Sequence, residues 1–200
     1  MTRMMTVAAI GALAIGLGAC KNNEAAVPAN ETMNVSDEPG VANMGAADNG
    51  MSGGAMTDPT SDAGFATAAA ASDMFEIQSS QKALATSKVP AIKAYAQMMV
   101  TEHTKSSAEL KTLASAMTPA MTLPTTLPAE QQTLLDSLNG KTGTEFDRAY
   151  LAAQRTGHQG TLTKVNAYVA AAKPGGLKDF ASKMSGVVQK HLNMLDKIKV

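Results

Sequence analysis

The amino-acid sequence predicts an all-α protein whose main domain is a four-helix up-down bundle, with an extra short helix between the second and third long helices. The apolar residues are mainly Ala, Met, Leu and Val, Trp is missing, and aromatic residues make up 4% of the chain. This composition favours helices over sheets. Apolar positions recur every three or four residues in four long segments, and turn-bounded runs of alternating Val, Ile, Thr and Tyr are missing. We therefore expect helices and no sheet.

Residues 1–20 have the pattern of a bacterial export signal. Arg3 supplies a positive start, and residues 6–19 form an uncharged, largely apolar stretch that is too short to span a bilayer comfortably. The stretch ends in Leu-Gly-Ala-Cys, which resembles the lipobox of bacterial lipoproteins. Cys20 is the only cysteine, and a free thiol would be a liability in an oxidising compartment. We expect Cys20 to be acylated and to anchor the protein to a membrane; the alternative is an ordinary secretory signal.

Residues 21–62 are predicted to be a disordered tether. They are rich in Asn, Gly, Ala, Ser, Asp and Pro and show no apolar periodicity. Lys21, and not Asp, follows the cysteine, which by resemblance to enterobacterial sorting favours the outer membrane over the inner one. The expected location is therefore the bacterial cell envelope, with the folded domain facing the periplasm.

Prolines and glycines divide residues 63–200, the predicted bundle domain, into helical segments. Asp62 is a candidate N-cap for the first helix, and Pro90 suits the first turn of the second. Three prolines make residues 118–128 a connector, and Pro174 with two glycines turns the chain into the last helix. The predicted helices cover residues 62–86, 90–117, 129–138, 142–172 and 177–198.

All three histidines, one per helix, fall on predicted buried stripes, and a carboxylate does so on the remaining long helix, while Asp147 and Gln154 share the stripe of His158. His103, His158 and His191 occupy such positions on the second, third and fourth long helices, and the last stripe also includes Val187. Glu76 is the one charge on the small-residue stripe of the first helix. If adjacent helices are antiparallel, with residues 86, 90, 172 and 174 at one end, these four groups lie within ~10 Å along the bundle axis. We predict that they share one layer.

This layer indicates a transition-metal site. Neutral imidazole and carboxylate suit Zn, Fe, Mn or Cu, and helix bundles build such sites from facing helices. The candidate ligands are Glu76, His103, His158 and His191, and the candidate supporting residues are Asp147, Tyr150 and Gln154. The alternative is a metal-free structural cluster, because a buried imidazole costs on the order of 2 kcal/mol unless it is hydrogen-bonded.

Several function classes find no support in the sequence. Lys plus Arg number 17 and Asp plus Glu number 17, so no basic field attracts a nucleic acid. No GxSxG turn and no glycine-rich phosphate loop is present, so no catalytic residue is assigned. Glu102 is adjacent to His103 and points about 100° away around the helix, so we expect a solvated or interface residue. An envelope stress or interaction protein, whose partner is not identified, is the contrasting class.

Two segments resemble a known family. Residues 94–105 read AYAQMMVTEHTK and residues 143–150 read GTEFDRAY, with His158 and His191 following. Through these Met-x-x-x-His and Phe-Asp-x-x-Tyr patterns the chain resembles, over residues 65–195, the bacterial family named domain of unknown function 4142. The resemblance implies a ferritin-like bundle common in predicted lipoproteins, and it implies no particular activity. Its signature positions are His103, Asp147, Tyr150, His158 and His191, with Glu76 as a recurrent first-helix carboxylate. The paired Glu-x-x-His motifs of ferritin-type di-iron sites are missing, so a ferroxidase is not expected.

Overall fold

The structure, a computed structural model, describes residues 58–200, which form five α-helices and contain no β-strand. The helices are α1 (Asp62–Thr86), α2 (Pro90–Ala116), α3 (Ala129–Asp136), α4 (Gly143–Ala171) and α5 (Gly176–Leu195). The all-α prediction is confirmed, and every predicted helix is present with ends that differ by three residues or fewer. The predicted signal peptide, Cys20 and most of the predicted tether lie outside the described residues.

The first helix begins with a serine cap. Ser61 has an extended backbone, and its hydroxyl accepts a hydrogen bond from the Gly64 backbone N–H at 3.0 Å. Asp62, which we expected to be the cap, is instead the first helical residue, and its carboxylate accepts a hydrogen bond from the Tyr168 hydroxyl on α4. The Asp62 carboxylate therefore links α1 to α4 and does not cap the start of α1.

Two apolar clusters fill the interior between the long helices. Helix α1 packs against α2 and α4, α5 packs against α4 and α2, and α3 contacts α1 and α4. Among these pairs of long helices, α2 and α5 make the sparsest contact. Apolar cluster I consists of Phe75, Ala83, Ile92, Tyr95, Ala96, Met99, Leu135, Leu138, Phe146, Tyr150, Ala153, Leu192 and Leu195. Apolar cluster II consists of Phe65, Ala66, Ala69, Ala70, Leu110, Val165, Tyr168, Leu177, Phe180, Ala181, Met184 and Val188.

The clusters reveal the direction of each helix. Cluster II combines the start of α1 and α5 with the end of α2 and α4, and the rings of Phe65 and Tyr168 stack there with centroids 4.2 Å apart. Helix α4 is therefore antiparallel to α1 and parallel to α2. We predicted an up-down bundle with residues 86, 90, 172 and 174 at one end. This prediction is wrong, because residues 86 and 90 lie at the end of cluster I and residues 172 and 174 at the end of cluster II. Antiparallel neighbours follow only from short connections, and residues 117–142 can span up to ~80 Å when extended, about twice the ~40 Å length of α2.

The predicted buried stripes are largely confirmed. On α1 the whole stripe from Phe65 to Ala83 is buried, including Glu76. On α5, however, Val187 is 39% exposed and Val188 is 1% exposed. Because each residue advances about 100° around a helix, the choice between two adjacent valines depends on the position of the neighbouring helices. Within residues 58–200, no helix combines the length and apolarity needed to cross a membrane.

Candidate metal centre

A layer of buried polar side chains separates the two apolar clusters. We call it the polar layer, and it consists of Ser72, Asp73, Glu76, Ser79, His103, Gln154, His158, Thr161 and His191. Helical spacing places these groups on the stripes that also build the clusters: on α2, for example, His103 follows Met99 of cluster I by four residues and precedes Leu110 of cluster II by seven. Burying polar groups between two apolar clusters costs desolvation free energy, and hydrogen bonds among these groups are needed to offset that cost.

The three histidines of the chain meet in this layer. His103, His158 and His191, which we call the imidazole cluster, are 4%, 1% and 0% exposed. Their ring centroids are 5.2 to 5.8 Å apart. Each ring offers one nitrogen such that the three nitrogens lie within 4.8 Å of one another. Imidazoles from three helices therefore converge on one small volume.

Each imidazole has its outer nitrogen, the one facing away from the other rings, held by an acceptor. The contacts join Asp73 Oδ1 to His103 Nδ1 at 2.8 Å, the Gln154 carbonyl to His158 Nδ1 at 2.8 Å, and Glu102 Oε2 to His191 Nε2 at 2.7 Å. A carbonyl or carboxylate oxygen can only accept, so each outer nitrogen carries the proton and donates it. In a neutral ring the inner nitrogen is then left with a free lone pair.

The inner nitrogens of His158 and His191 face each other. His158 Nε2 lies 3.1 Å from His191 Nδ1, and His103 Nε2 is buried without a hydrogen-bond partner. If all three rings are neutral and protonated on the outer side, two lone pairs face each other across this 3.1 Å contact. Such a contact is unfavourable unless a proton or a cation lies between the two nitrogens.

Glu76 approaches the imidazole cluster from the outer side. Its Oε1 is 3.2 Å from His158 Nδ1, the nitrogen opposite the one that faces His191. Gly157 permits this approach, because a Cβ at that position would lie 3.0 Å from Glu76 Oε1 and 3.0 Å from the Phe75 ring. The carboxylate is 1% exposed, and neither of its oxygens has a well-aligned hydrogen bond. Glu76 therefore acts on His158 mainly through its charge.

The charges of the layer are coupled. Burial alone raises the pKa of Glu76, but the attraction of His158 and His103 outweighs it, and the pKa lies below its ordinary value. Burial lowers the pKa of His158, and the nearby Glu76 carboxylate more than reverses this, so the pKa is raised. Burial and the neighbouring imidazoles bring the pKa of His191 to about 4, although the hydrogen bond to Glu102 opposes the shift. His191 is therefore a neutral imidazole near pH 7.

The supporting residues suggested by the sequence lie at different distances from the imidazole cluster. The Gln154 carbonyl holds His158, and its side-chain amide donates to Ser79 Oγ at 2.9 Å. Tyr150 lies two turns before His158 on α4, and its hydroxyl forms a hydrogen bond of 2.9 Å with the Ser80 hydroxyl. Asp147 is buried but lies three turns, or ~16 Å along the helix, from His158. Only Gln154 touches the cluster.

The sequence interpretation missed two acids that contact the cluster. Asp73, fully buried, accepts from His103 and also from the Ser107 hydroxyl at 3.2 Å. It lies three residues before Glu76, which places both acids on one face of α1, so the helical spacing could have revealed it. Glu102 was expected to be solvated or at an interface, but it hydrogen-bonds His191. Its position depends on where α5 packs, and the α2 sequence carries no signal for that.

A surface cleft of about 400 Å³ leads to the imidazole cluster between α2 and α5. We call it the α2–α5 cleft. It is lined by Glu102, His103, Lys105, Ser106, Glu109, Phe180, Lys183, Met184, Val187, Val188, Lys190 and His191. Two of the three imidazoles, His103 and His191, therefore form part of the buried wall of this cleft.

The donor set is compatible with a transition-metal ion. Metal–nitrogen bonds of 2.0–2.1 Å in a tetrahedral site place ligand nitrogens ~3.3 Å apart. His158 Nε2 and His191 Nδ1, which are 3.1 Å apart, are already close to this spacing. The nitrogen of His103 lies within 4.8 Å of the other two, so it needs to approach by ~1.5 Å at most. Three imidazoles would fill three positions of a tetrahedral ion and leave one for a further ligand.

Comparison with known proteins gives one match. A family model described as Domain of unknown function (DUF4142) matches residues 46–198, which is more than half of the 200-residue chain. No curated protein and no solved structure matches the chain.

Proposed function

The chain belongs to the family described as Domain of unknown function (DUF4142), and we propose that this member binds one transition-metal ion through His103, His158 and His191. The hydrogen-bond arrangement of the three rings carries the proposal. Histidines that bind metals almost always donate their other ring N–H to a carboxylate, a carbonyl or water. All three histidines here make such a contact, and each ring offers one nitrogen within 4.8 Å of the nitrogens of the other two.

The charge of the surroundings also supports a cation. Asp73, Glu76 and Glu102 each contact one imidazole, and Lys190 Nζ lies 3.5 Å from Glu102 Oε1. With neutral imidazoles the three carboxylates carry three negative charges in or beside a buried layer. Uncompensated buried charge is strongly unfavourable, and a divalent or trivalent ion would offset most of it.

Within this proposal Glu76 lies beside His158 and is not a ligand of the metal. Its close contact is with the outer nitrogen of His158, as the contacts of Asp73 and Glu102 are with the outer nitrogens of the other two rings. Each imidazole then has one acid beside it, and the ligands are nitrogens only. Imidazole ligands alone suit Zn, Fe or Cu, whereas Mn favours carboxylate oxygens as ligands.

Elemental analysis tests the proposal. The full chain, purified without an affinity tag, should carry about one transition-metal ion per chain, and a His103→Ala/His191→Ala double variant should carry none. Ser80→Ala is the matched control, because Ser80 is buried and hydrogen-bonded to Tyr150 but does not touch the imidazoles. Equal metal content in the wild type and the double variant would remove the metal proposal.

A structural polar core is the second candidate. Buried hydrogen bonds join α1 to α4 at Ser72–Thr161 (2.8 Å) and Ser80–Tyr150 (2.9 Å), and such pairs can set the register of packed helices. A proton would then occupy the 3.1 Å contact between His158 and His191. Such a domain would present its helical surface to a protein partner in an envelope stress or interaction role. The same elemental analysis separates the candidates, because this one requires no metal.

We also propose a ferritin-like arrangement of the four long helices. Its support is that α1 and α2, α1 and α4, α4 and α5, and α2 and α5 are neighbours. The long connection that contains α3 lets α2 and α4 run in the same direction. A long crossover of this kind is a feature of ferritin-like bundles.

The last part of the proposal concerns location. We propose that Cys20 is acylated and anchors the domain to the periplasmic face of the cell envelope, on the outer membrane. The Leu-Gly-Ala-Cys sequence and the single cysteine support this. Cys20→Ala should move the protein from the membrane fraction to the soluble fraction and abolish labelling by a radioactive fatty acid. Asn22→Ala, two residues further, should change neither. An unlabelled wild type would disprove the anchor.

A further inference from the structure

The three acids around the imidazole cluster differ in their access to solvent. Asp73 and Glu76 are sealed, with exposures of 0% and 1%. The Glu102 side chain is 33% exposed and lines the α2–α5 cleft beside His103 and His191. Three other cavities on the described part of the chain have no histidine in their lining. The cleft therefore brings solvent close to the wall that contains His103 and His191, and Glu102 is the part-exposed acid at that wall.

The two oxygens of Glu102 are held unequally. Oε2 accepts a hydrogen bond of 2.7 Å from His191 Nε2. Oε1 has a 3.5 Å contact with Nζ of Lys190, whose side chain is 59% exposed. An ion pair this exposed contributes between zero and about 1 kcal/mol. A hydrated cation can therefore displace Lys190 from Oε1 while Oε2 keeps its bond to His191.

We propose that metal ions enter through the α2–α5 cleft and that Glu102 captures them before transfer to the imidazoles. This inference rests on the proposed metal-binding function. Lys105, Lys183 and Lys190 also line the cleft and repel cations, so an acid in the path has a large effect on entry. Because Glu102 contacts His191 directly, its negative charge favours a cation next to the imidazoles, and we expect it to raise the association rate about tenfold.

Capture by Glu102 predicts a different kinetic signature from simple positioning of His191. Glu102→Gln removes the charge but keeps an amide oxygen that can accept from His191 Nε2. Loss of capture slows metal uptake, whereas loss of positioning mainly speeds metal release. Asp73→Asn provides the comparison, because the sealed Asp73 positions His103 and lies outside the cleft lining.

Stopped-flow uptake of Co²⁺, followed by its visible absorption, tests this in the detergent-solubilised full chain after metal removal. Glu102→Gln should slow uptake about tenfold, while Asp73→Asn should change the release rate and leave uptake within about twofold. Glu109→Gln is the matched control. Glu109 lies on the same helix and lines the same cleft, its side chain is 43% exposed, and it is 3.3 Å from Lys183. Its uptake rate should stay within about twofold of the wild type.

The outcomes separate the two proposals. A Glu102→Gln uptake rate within about twofold of the wild type, or an equal slowing in Glu109→Gln, would overturn capture by Glu102 and leave the metal site intact. A wild-type chain that binds no Co²⁺, Zn²⁺, Mn²⁺, Fe²⁺ or Cu²⁺ at equilibrium would overturn the metal site itself. Circular dichroism of each variant confirms that the helices are retained.

Discussion

The apolar clusters and the polar layer share one interior but depend on different forces. Cluster II is held by burial and ring stacking, with Phe65 against Tyr168 at 4.2 Å and against Phe180 at 6.3 Å. The polar layer consists of hydrogen-bonded and charged groups whose desolvation is unfavourable and whose mutual contacts offset it. Stability therefore comes chiefly from the clusters, while any ligand chemistry lies in the layer. The two should therefore be separable by mutation.

The largest effect on stability is expected in cluster II. Phe65→Ala removes a ring that is 1% exposed, and it should lower the free energy of unfolding by about 3–5 kcal/mol. Urea unfolding measures this change, and Phe65→Leu should lose less. Metal content in the folded fraction should be unchanged, because Phe65 does not touch the imidazoles. Loss of metal from folded Phe65→Ala would show that the cluster and the layer are not separable.

Metal removal should have the next largest effect. An ion that binds only the folded state at a hundred times its dissociation constant stabilises that state by about 2.7 kcal/mol. Thermal unfolding with and without a chelator should therefore differ in the wild type and coincide in the His103→Ala/His191→Ala variant. Coinciding curves in both proteins would favour the structural polar core.

Asp73→Asn should act on the layer alone. Removing a carboxylate that holds a metal-binding histidine lowers metal affinity by about tenfold to a hundredfold. Competition with a chromophoric chelator measures the affinity. The control is Asp179→Asn, which removes an exposed acid from the first turn of α5 and should leave affinity within about twofold. An Asp73→Asn affinity equal to that of the control would mean that the acid does not support a metal ligand.

The smallest change in stability is expected at two glycines of α4, which should respond differently to alanine. At Gly160 a Cβ meets nothing within 4 Å, so Gly160→Ala should stabilise the protein by about 0.5–1 kcal/mol through helix propensity. At Gly157 the Cβ would crowd Glu76 and Phe75 at 3.0 Å. Gly157→Ala should therefore gain less than Gly160→Ala, or lose stability, and should weaken metal binding. Equal gains without a change in metal affinity would show that Glu76 does not need its close approach to His158.

Much of the fold could be predicted because helical periodicity is local. The spacing of apolar residues predicted the four long helices, and the prolines and glycines predicted where the helices, including the short one, begin and end. The direction of α4 could not be predicted, because a long connection permits either direction. His158 was nevertheless placed in the right layer, since it lies at the middle of α4 and reversing a helix does not move its midpoint.

The candidate site was predictable only in part. The histidine positions follow from the stripes of three separate helices, whereas Asp73 and Glu102 depend on which helix packs beside which ring. Glu102 illustrates the limit, because its neighbour His191 is on α5, eighty-nine positions later in the chain. No periodicity within α2 indicates such a contact.

The sequence by itself determined the helices, the inward-facing stripes and the presence of one imidazole on each of three stripes. These depend on spacing along the chain, which sets the side of a helix that a residue occupies. Only the tertiary structure decided which ring nitrogen faces inward, which acceptor holds each outer nitrogen, and which of the three acids reaches solvent. These features depend on distances between helices, and such distances arise only when the helices pack together.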